Sequence, residues 1–140
     1  MDDELMCPRP SWSRMHVRQP TILYVESNSL LARFVGDVLE LGNWHVWCAE
    51  SGVLARTLLG SEEQFALMLV DNELRDTTGL EIVKYARSLR QRKTLPVVLF
   101  SIEDYDQEAK AAGASEFLRK PHDLFLLLDT IRNLLAGDGK

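Results

Sequence analysis

Only two cysteines occur in these 140 residues, and they do not look like partners: Cys7 sits in a polar, proline-bearing head and Cys48 in a strand-like run. A disulfide framework is excluded on that count, and a reducing, cytoplasmic compartment is the expectation. No apolar stretch approaches the roughly 18 residues that a bilayer-spanning helix needs, so no membrane role is expected. Asp2, Asp3 and Glu4 stand where a secretion signal would carry cations, and no apolar core follows them. Basic charge is short as well. Sixteen Lys and Arg against 21 Asp and Glu leave a formal net charge of −5, which argues against direct contact with nucleic acid, whose phosphates demand clustered cations. Phosphate loops are missing too: there is no Gly-x-Gly-x-x-Gly, and the terminal Gly137-Asp138-Gly139-Lys140 precedes no helix. His16, His45 and His122 lack the spacing of metal ligands and read as structural or surface residues.

What the chain does have is an alternation of two periodicities. Its length suits one domain that buries roughly two-thirds of its unfolded surface without staples. Residues 1–20, with Pro8, Pro10 and Pro20, read as a loosely ordered head and 137–140 as a tail, leaving 21–136 as the folded domain. Apolar runs at Ile22–Val25, Trp44–Ala49, Phe65–Val70, Leu95–Phe100 and Ser115–Leu118 read as strands. Helices are expected over Ser27–Leu41, Ser51–Leu59, Gly79–Arg92, Asp104–Ala112 and Pro121–Ala136, the last opening on a proline whose missing N–H is not needed there. Arg87, Arg90, Arg92 and Lys93 read as a solvated face at the end of the third helix, where cations complement the dipole. Trp44 and Trp47 should point to opposite faces of the second strand, each into the core. Strands alternating with helices make a parallel sheet covered on both faces, and right-handed crossovers leave few windings. The expected fold is α/β: a doubly wound (βα)5 three-layer sandwich with a five-stranded parallel sheet in the order 2-1-3-4-5, which periodicity does not fix and which is chosen because it lets strands 1 and 3 share one site.

Polar residues end four of these runs: Glu26 after TILYV, Asp71 after FALMLV, Ser101 after LPVVLF, and Lys120 after SEFLR. Ligands of an open parallel sheet bind beyond the carboxyl ends of its strands, so these side chains should converge in one crevice. Two acids, an alcohol and an ammonium describe a place where a phosphoryl group can be held and transferred. Carboxylates about 4 Å apart repel by about 4 kcal/mol at an effective dielectric of about 20, so Glu26 and Asp71 should welcome a divalent cation.

Four segments resemble the receiver domain of two-component response regulators, the CheY-like superfamily: ILYVES at Ile22–Ser27, LVDNELRDTTGLE at Leu69–Glu81, PVVLFS at Pro96–Ser101 and AAGASEFLRKP at Ala111–Pro121. Gly79, eight residues after Asp71, agrees with the same pattern. The resemblance implies that Asp71 is a phosphoacceptor that attacks phosphorus in line and receives its phosphoryl group from a histidine kinase or phosphotransfer protein. It also implies Mg²⁺ held by Glu26, Asp71 and the backbone carbonyl of Glu73. Ser101 and Lys120 would hold the phosphoryl group, and Ser101 and Phe117 would form the switch that relays the signal to a downstream protein. Such a protein is a signalling domain that at most catalyses its own phosphoryl transfer and dephosphorylation.

Three departures surround that site. Ser27 stands where receivers usually carry a second acid, which should weaken Mg²⁺ binding; Leu74-Arg75 replaces an expected Met-Pro; and Ile102 replaces a small residue at the mouth. They support an alternative: a degenerate receiver that acts as a phosphorylation-independent interaction module. A flavin-binding relative of the same winding would use Ser27, Asn28 and Ser29 as its phosphate loop, but that stretch has no glycine. In the last helix Leu124, Leu127, Leu128, Ile131, Leu134 and Leu135 share a core face, leaving Phe125 and Leu126 outside it. With Tyr105 they form a candidate surface for self-association or partner docking. No output domain fits in the chain, so a stand-alone receiver or one cut from a longer protein is expected.

Overall fold

The computed structural model describes residues 19–137. Residues 1–18 of the expected head, with Cys7, Trp12 and His16, lie outside the described residues, as does the tail after Gly137. Five strands, β1 (Thr21–Val25), β2 (His45–Ala49), β3 (Leu67–Asp71), β4 (Val97–Ser101) and β5 (Glu116–Arg119), form one parallel sheet in the order β2-β1-β3-β4-β5. Five α-helices alternate with them: α1 (Ser29–Leu41), α2 (Gly52–Leu59), α3 (Gly79–Ser88), α4 (Asp106–Ala112) and α5 (Leu127–Ala136). The α/β winding and strand order expected from the sequence are those observed.

The two faces of the sheet carry separate cores. Ile22, Tyr24, Val98 and Phe100 pack with Val35 and Leu39 of α1 and Leu127 and Ile131 of α5. Leu23, Val25, Met68, Val70 and Leu99 pack with α2, α3 and α4 on the other face. Every residue of β3 and β4 is buried, which is why their sequences are continuous apolar runs and not alternating ones. Trp44 joins the α1–α5 core, whereas Trp47 packs on the opposite one, its ring edge-on to Phe65 at 5.7 Å.

Helix ends follow from local chemistry. Asn28, Ser51 and Thr78 each accept a backbone N–H of the turn they open, capping α1, α2 and α3. Two more donors of α2, Gly52 N–H and Val53 N–H, go to the Asp76 carboxylate at 2.8 and 3.0 Å, and those bonds hold its carboxyl below the usual range. After α1 it is Asn43, at φ 71°, that takes the left-handed conformation. Gly42 is needed for space: a Cβ there would stand 2.5 Å from the Trp44 ring.

Two expectations are corrected. The last helix begins at Leu127 and not at Pro121, because Asp123 closes a turn first: its N–H donates to the Arg119 carbonyl at 2.7 Å and its carboxylate accepts the Arg119 N–H at 2.9 Å. One 3-10 turn, Leu124–Leu126, then leads into α5. The basic run is the expected solvated face only in part, since Arg90 and Lys93 are exposed but Arg87 is half-buried and Arg92 buried. Arg92 is 5 % exposed and Arg87 reaches the carbonyls of Gly113 and Arg92, because α3 stops at Ser88 and the 3-10 turn Arg90–Arg92 swings the chain back over the core.

Candidate functional site

The parallel ladder continues one step past the strands. Glu26 N–H donates to Ala49, Asn72 N–H to Phe100 and Lys120 N–H to Ser101, at 2.8–2.9 Å, so the residues ending β1, β3, β4 and β5 lie along one edge of the sheet. Asp71 and Ser101 are the last members of their strands, one residue further than the apolar runs suggest. Three of the four predicted side chains meet, Lys120, Asp71 and Glu26, while the fourth, Ser101, is at the end of the adjoining strand β4 with its hydroxyl on Glu73. Lys120 Nζ bonds Asp71 Oδ1, lies 3.6 Å from Glu26 Oε1 and sits 5.2 Å from the centre of the Phe100 ring. Glu26, Asp71 and Ser101 are all buried.

Each group is held by a specific partner. Glu26 accepts the Asn28 N–H at 3.2 Å and the Tyr24 hydroxyl at 3.4 Å. Burial, with Glu26 and Asp71 alongside, holds the Tyr24 hydroxyl protonated far above its ordinary range. Asp71 Oδ2 accepts the Glu73 N–H at 2.9 Å. Its carboxyl is pushed up to about 6, chiefly by burial and further by Glu26 and Glu73, against the opposing pull of Lys120. Behind it, the Asn72 side chain accepts the Leu80 N–H at 3.0 Å and its carbonyl accepts the Gly79 N–H at 3.0 Å, pinning α3 against the site. A Cβ at position 79 would stand 2.5 Å from the Asp71 carbonyl oxygen. Gly79→Ala is therefore expected to force α3 off that carbonyl and to cost about 1–3 kcal/mol, as over-packing does; a denaturant midpoint equal to the parent's would refute this.

Glu73 was expected to matter only through its backbone carbonyl. Its carboxylate is also in the site, accepting the Ser101 hydroxyl at 2.6 Å and lying 3.5 Å from the Ile102 N–H. In the sequence Arg75 stands out only as the loss of a proline. Its N–H donates to Ser27 Oγ at 3.1 Å and its guanidinium to the Ser27 carbonyl at 2.7 Å, stitching the β3–α3 loop to the β1–α1 loop. Nothing in the spacing pointed to either side chain.

Among the described residues no group of three or more His, Cys, Asp or Glu is disposed to hold a metal ion. Mg²⁺ nevertheless keeps several waters and asks the protein for one or two carboxylates, and two oxygen acids at the sheet edge fit that demand. Ser27 brings no second carboxylate, and its hydroxyl is engaged on both sides, donating to the Glu50 carbonyl at 2.9 Å and accepting the Arg75 N–H at 3.1 Å. The fit is to a loosely held ion. The Ser27-Asn28-Ser29 phosphate loop does not form: Asn28 is spent capping α1 and Ser27 is tied to Glu50 and Arg75.

The remaining predicted positions lie apart from this crevice. Phe117 and Tyr105 are half-buried against the α2–α4 core. Phe125 is 80 % exposed and Leu126 38 %, while Leu124 packs on the α1–α5 face. An apolar hollow of about 230 Å³ beside Lys120 is lined by Leu31, Phe100, Ile102, Pro121 and Leu124. No helix among the described residues is long and apolar enough to cross a membrane.

Comparison with known proteins agrees with this architecture. The model of the response regulator receiver domain matches residues 22–132. The two-component response regulator ORR5 of Oryza sativa subsp. japonica is 30 % identical over 105 residues, covering 73 % of this chain and 78 % of its own. Among solved structures, chemotaxis protein CheY4 of Vibrio cholerae aligns with a TM-score of 0.75 at 27 % identity, over 82 % of this chain and 98 % of its own. The receiver domain of the Pseudomonas aeruginosa sensor histidine kinase PA1611, which has a magnesium ion coordinated in its cleft, aligns at 0.70 over 81 % and 97 % of the two chains; at 18 % identity it shows the fold alone. A match running from the first strand to the last helix, on a sheet wound in this order, means that the chain belongs to the response regulator receiver domain family.

Proposed function

We propose that this receiver domain is a phosphoacceptor that takes a phosphoryl group on Asp71 from a histidine kinase or phosphotransfer protein and passes the signal to a protein partner. The observation that carries the reading is the Lys120 ammonium lodged between Asp71 and Glu26 at the sheet edge, with Ser101 ending the neighbouring strand β4. An ionised Asp71 oxygen forms the bond to phosphorus as the bond to the donor breaks, and the electron pair leaves with the donor, which takes up a proton. Lys120 stabilises the added negative charge, and the Ser101 hydroxyl is placed to donate to a phosphoryl oxygen. A Mg²⁺ ion held by Glu26, Asp71 and the Glu73 carbonyl supplies charge neutralisation when bound. Ser101 and Phe117 are the residues through which the change would reach the surface.

Intact mass after incubation with acetyl phosphate and Mg²⁺ tests this directly. A phosphoryl adduct that Asp71→Asn abolishes is expected. No adduct at millimolar Mg²⁺ would leave the second reading, a phosphorylation-independent docking module, which the ties on Ser27 and the pairing of Glu73 with Ser101 favour. The domain is proposed to work in the cytoplasm, without direct nucleic-acid contact. Its contact surface is proposed at Phe125, Leu126 and Tyr105, of which Phe125 is the most exposed. Sedimentation should show self-association that Phe125→Glu weakens; a monomer at high concentration, unchanged by the substitution, removes the homodimer.

A further inference from the structure

A phosphoryl group on Asp71 brings oxygens that need hydrogen-bond donors, and at the β4 end the crevice offers two, the Ser101 hydroxyl and the Ile102 N–H. Both already face the same anion. Glu73 Oε2 takes the hydroxyl at 2.6 Å and Oε1 lies 3.5 Å from the amide, so its two carboxylate oxygens sit where oxygens of an incoming group would seek the same donors. The Glu73 backbone cannot retreat far, because its N–H is bonded to Asp71 Oδ2 and it forms a bridge with Thr78. The side chain, by contrast, can swing away. Ser101 is fully buried and its oxygen also accepts the Glu103 N–H at 3.1 Å, so its single proton is committed to the Glu73 carboxylate.

We propose that Glu73 is an internal anion that fills the Ser101 end of the crevice in the unmodified protein and must be displaced before a phosphoryl group can settle there. This rests on the reading of Asp71 as phosphoacceptor. The competition is for one hydroxyl proton and one amide, and it is reinforced by charge, since like charges forced together in a partly dry crevice repel. Glu73 thus sets how readily small phosphodonors and phosphoryl analogues bind, independently of the loss of an acid at Ser27.

Titration of the full chain with beryllofluoride and Mg²⁺, followed through the Ser101 and Ile102 amide resonances, tests it. Glu73→Ala should bind at least about tenfold more tightly than the parent, and Glu73→Gln, which keeps the acceptor but not the charge, should fall between them. Asp71→Asn should show no binding in either background. Equal or weaker binding by Glu73→Ala, with an unchanged denaturant midpoint, overturns the gate while leaving the phosphoacceptor intact. Folded parent and Glu73→Ala proteins that both ignore the analogue overturn the phosphoacceptor reading, and the gate with it.

Discussion

Arg92→Met is expected to cost about 2–4 kcal/mol of stability, although the residue lies far from the crevice. Its guanidinium donates to four backbone carbonyls: Leu59 at 2.9 Å, Glu63 at 2.8 Å, Ser61 at 3.1 Å and Leu58 at 3.3 Å. Leu58 and Leu59 end α2, whose last carbonyls have no partner within the helix. A cation there also meets the negative end of the helix dipole. The guanidinium further lies 5.1 Å from the centre of the Phe65 ring, so one side chain ties α2, the α2–β3 loop and β3's approach to the turn after α3. Methionine keeps most of the volume and none of the donors. Lysine has a charge but not the planar fork, and Arg92→Lys should recover less than half of the loss. Urea unfolding measures both; a midpoint for Arg92→Met within error of the parent would mean that water replaces the guanidinium at those carbonyls without cost.

Asp71→Asn should act in the opposite direction, stabilising the metal-free protein by about 1–3 kcal/mol at pH 7.5. Burial raises the folded carboxyl to about 6 from its ordinary 3.8, so between those values the folded protein binds the proton that the unfolded chain has released. Stability therefore falls as pH rises through that window and is lowest above it, where the buried carboxylate is fully ionised. An amide carries no such cost. The gain is held below the full shift because Lys120 loses its nearest anion and keeps only Glu26. Thermal melts with chelator present should show the two proteins converging below pH 4 and separating above pH 6. A destabilised Asp71→Asn at pH 7.5 would show instead that the Lys120 pair outweighs the burial of the charge.

The expected inversion would make this a site that weakens the fold it sits on. Crowding acids at the sheet edge costs stability in the resting protein, and any cation or proton that relieves it is bound in return. Much of this was legible in advance. Glu26, Asp71, Ser101 and Lys120 could be named because each ends or follows an apolar run, and parallel strands bring their carboxyl ends together whatever the connecting helices contain. Gly79 was legible only as a spacing; its reason, the closeness of the Asp71 carbonyl, needed coordinates. The last helix was placed six residues too early because Pro121 is as much at home in a turn as in a first helical turn, and Asp123 decided between them.

Periodicity and the polar residues that interrupt it were enough to determine the alternating α/β winding and the edge where chemistry gathers, since ladder pairing and right-handed crossovers are properties of the backbone that any suitable sequence inherits; the strand order followed only from requiring strands 1 and 3 to share that site. The turning of Glu73 onto Ser101, the anchoring of Ser27 by Arg75 and the burial of Arg92 were decided only in the tertiary structure. Long polar side chains on loops have no period to betray their direction. They go to whichever donors or carbonyls the assembled elements leave unsatisfied.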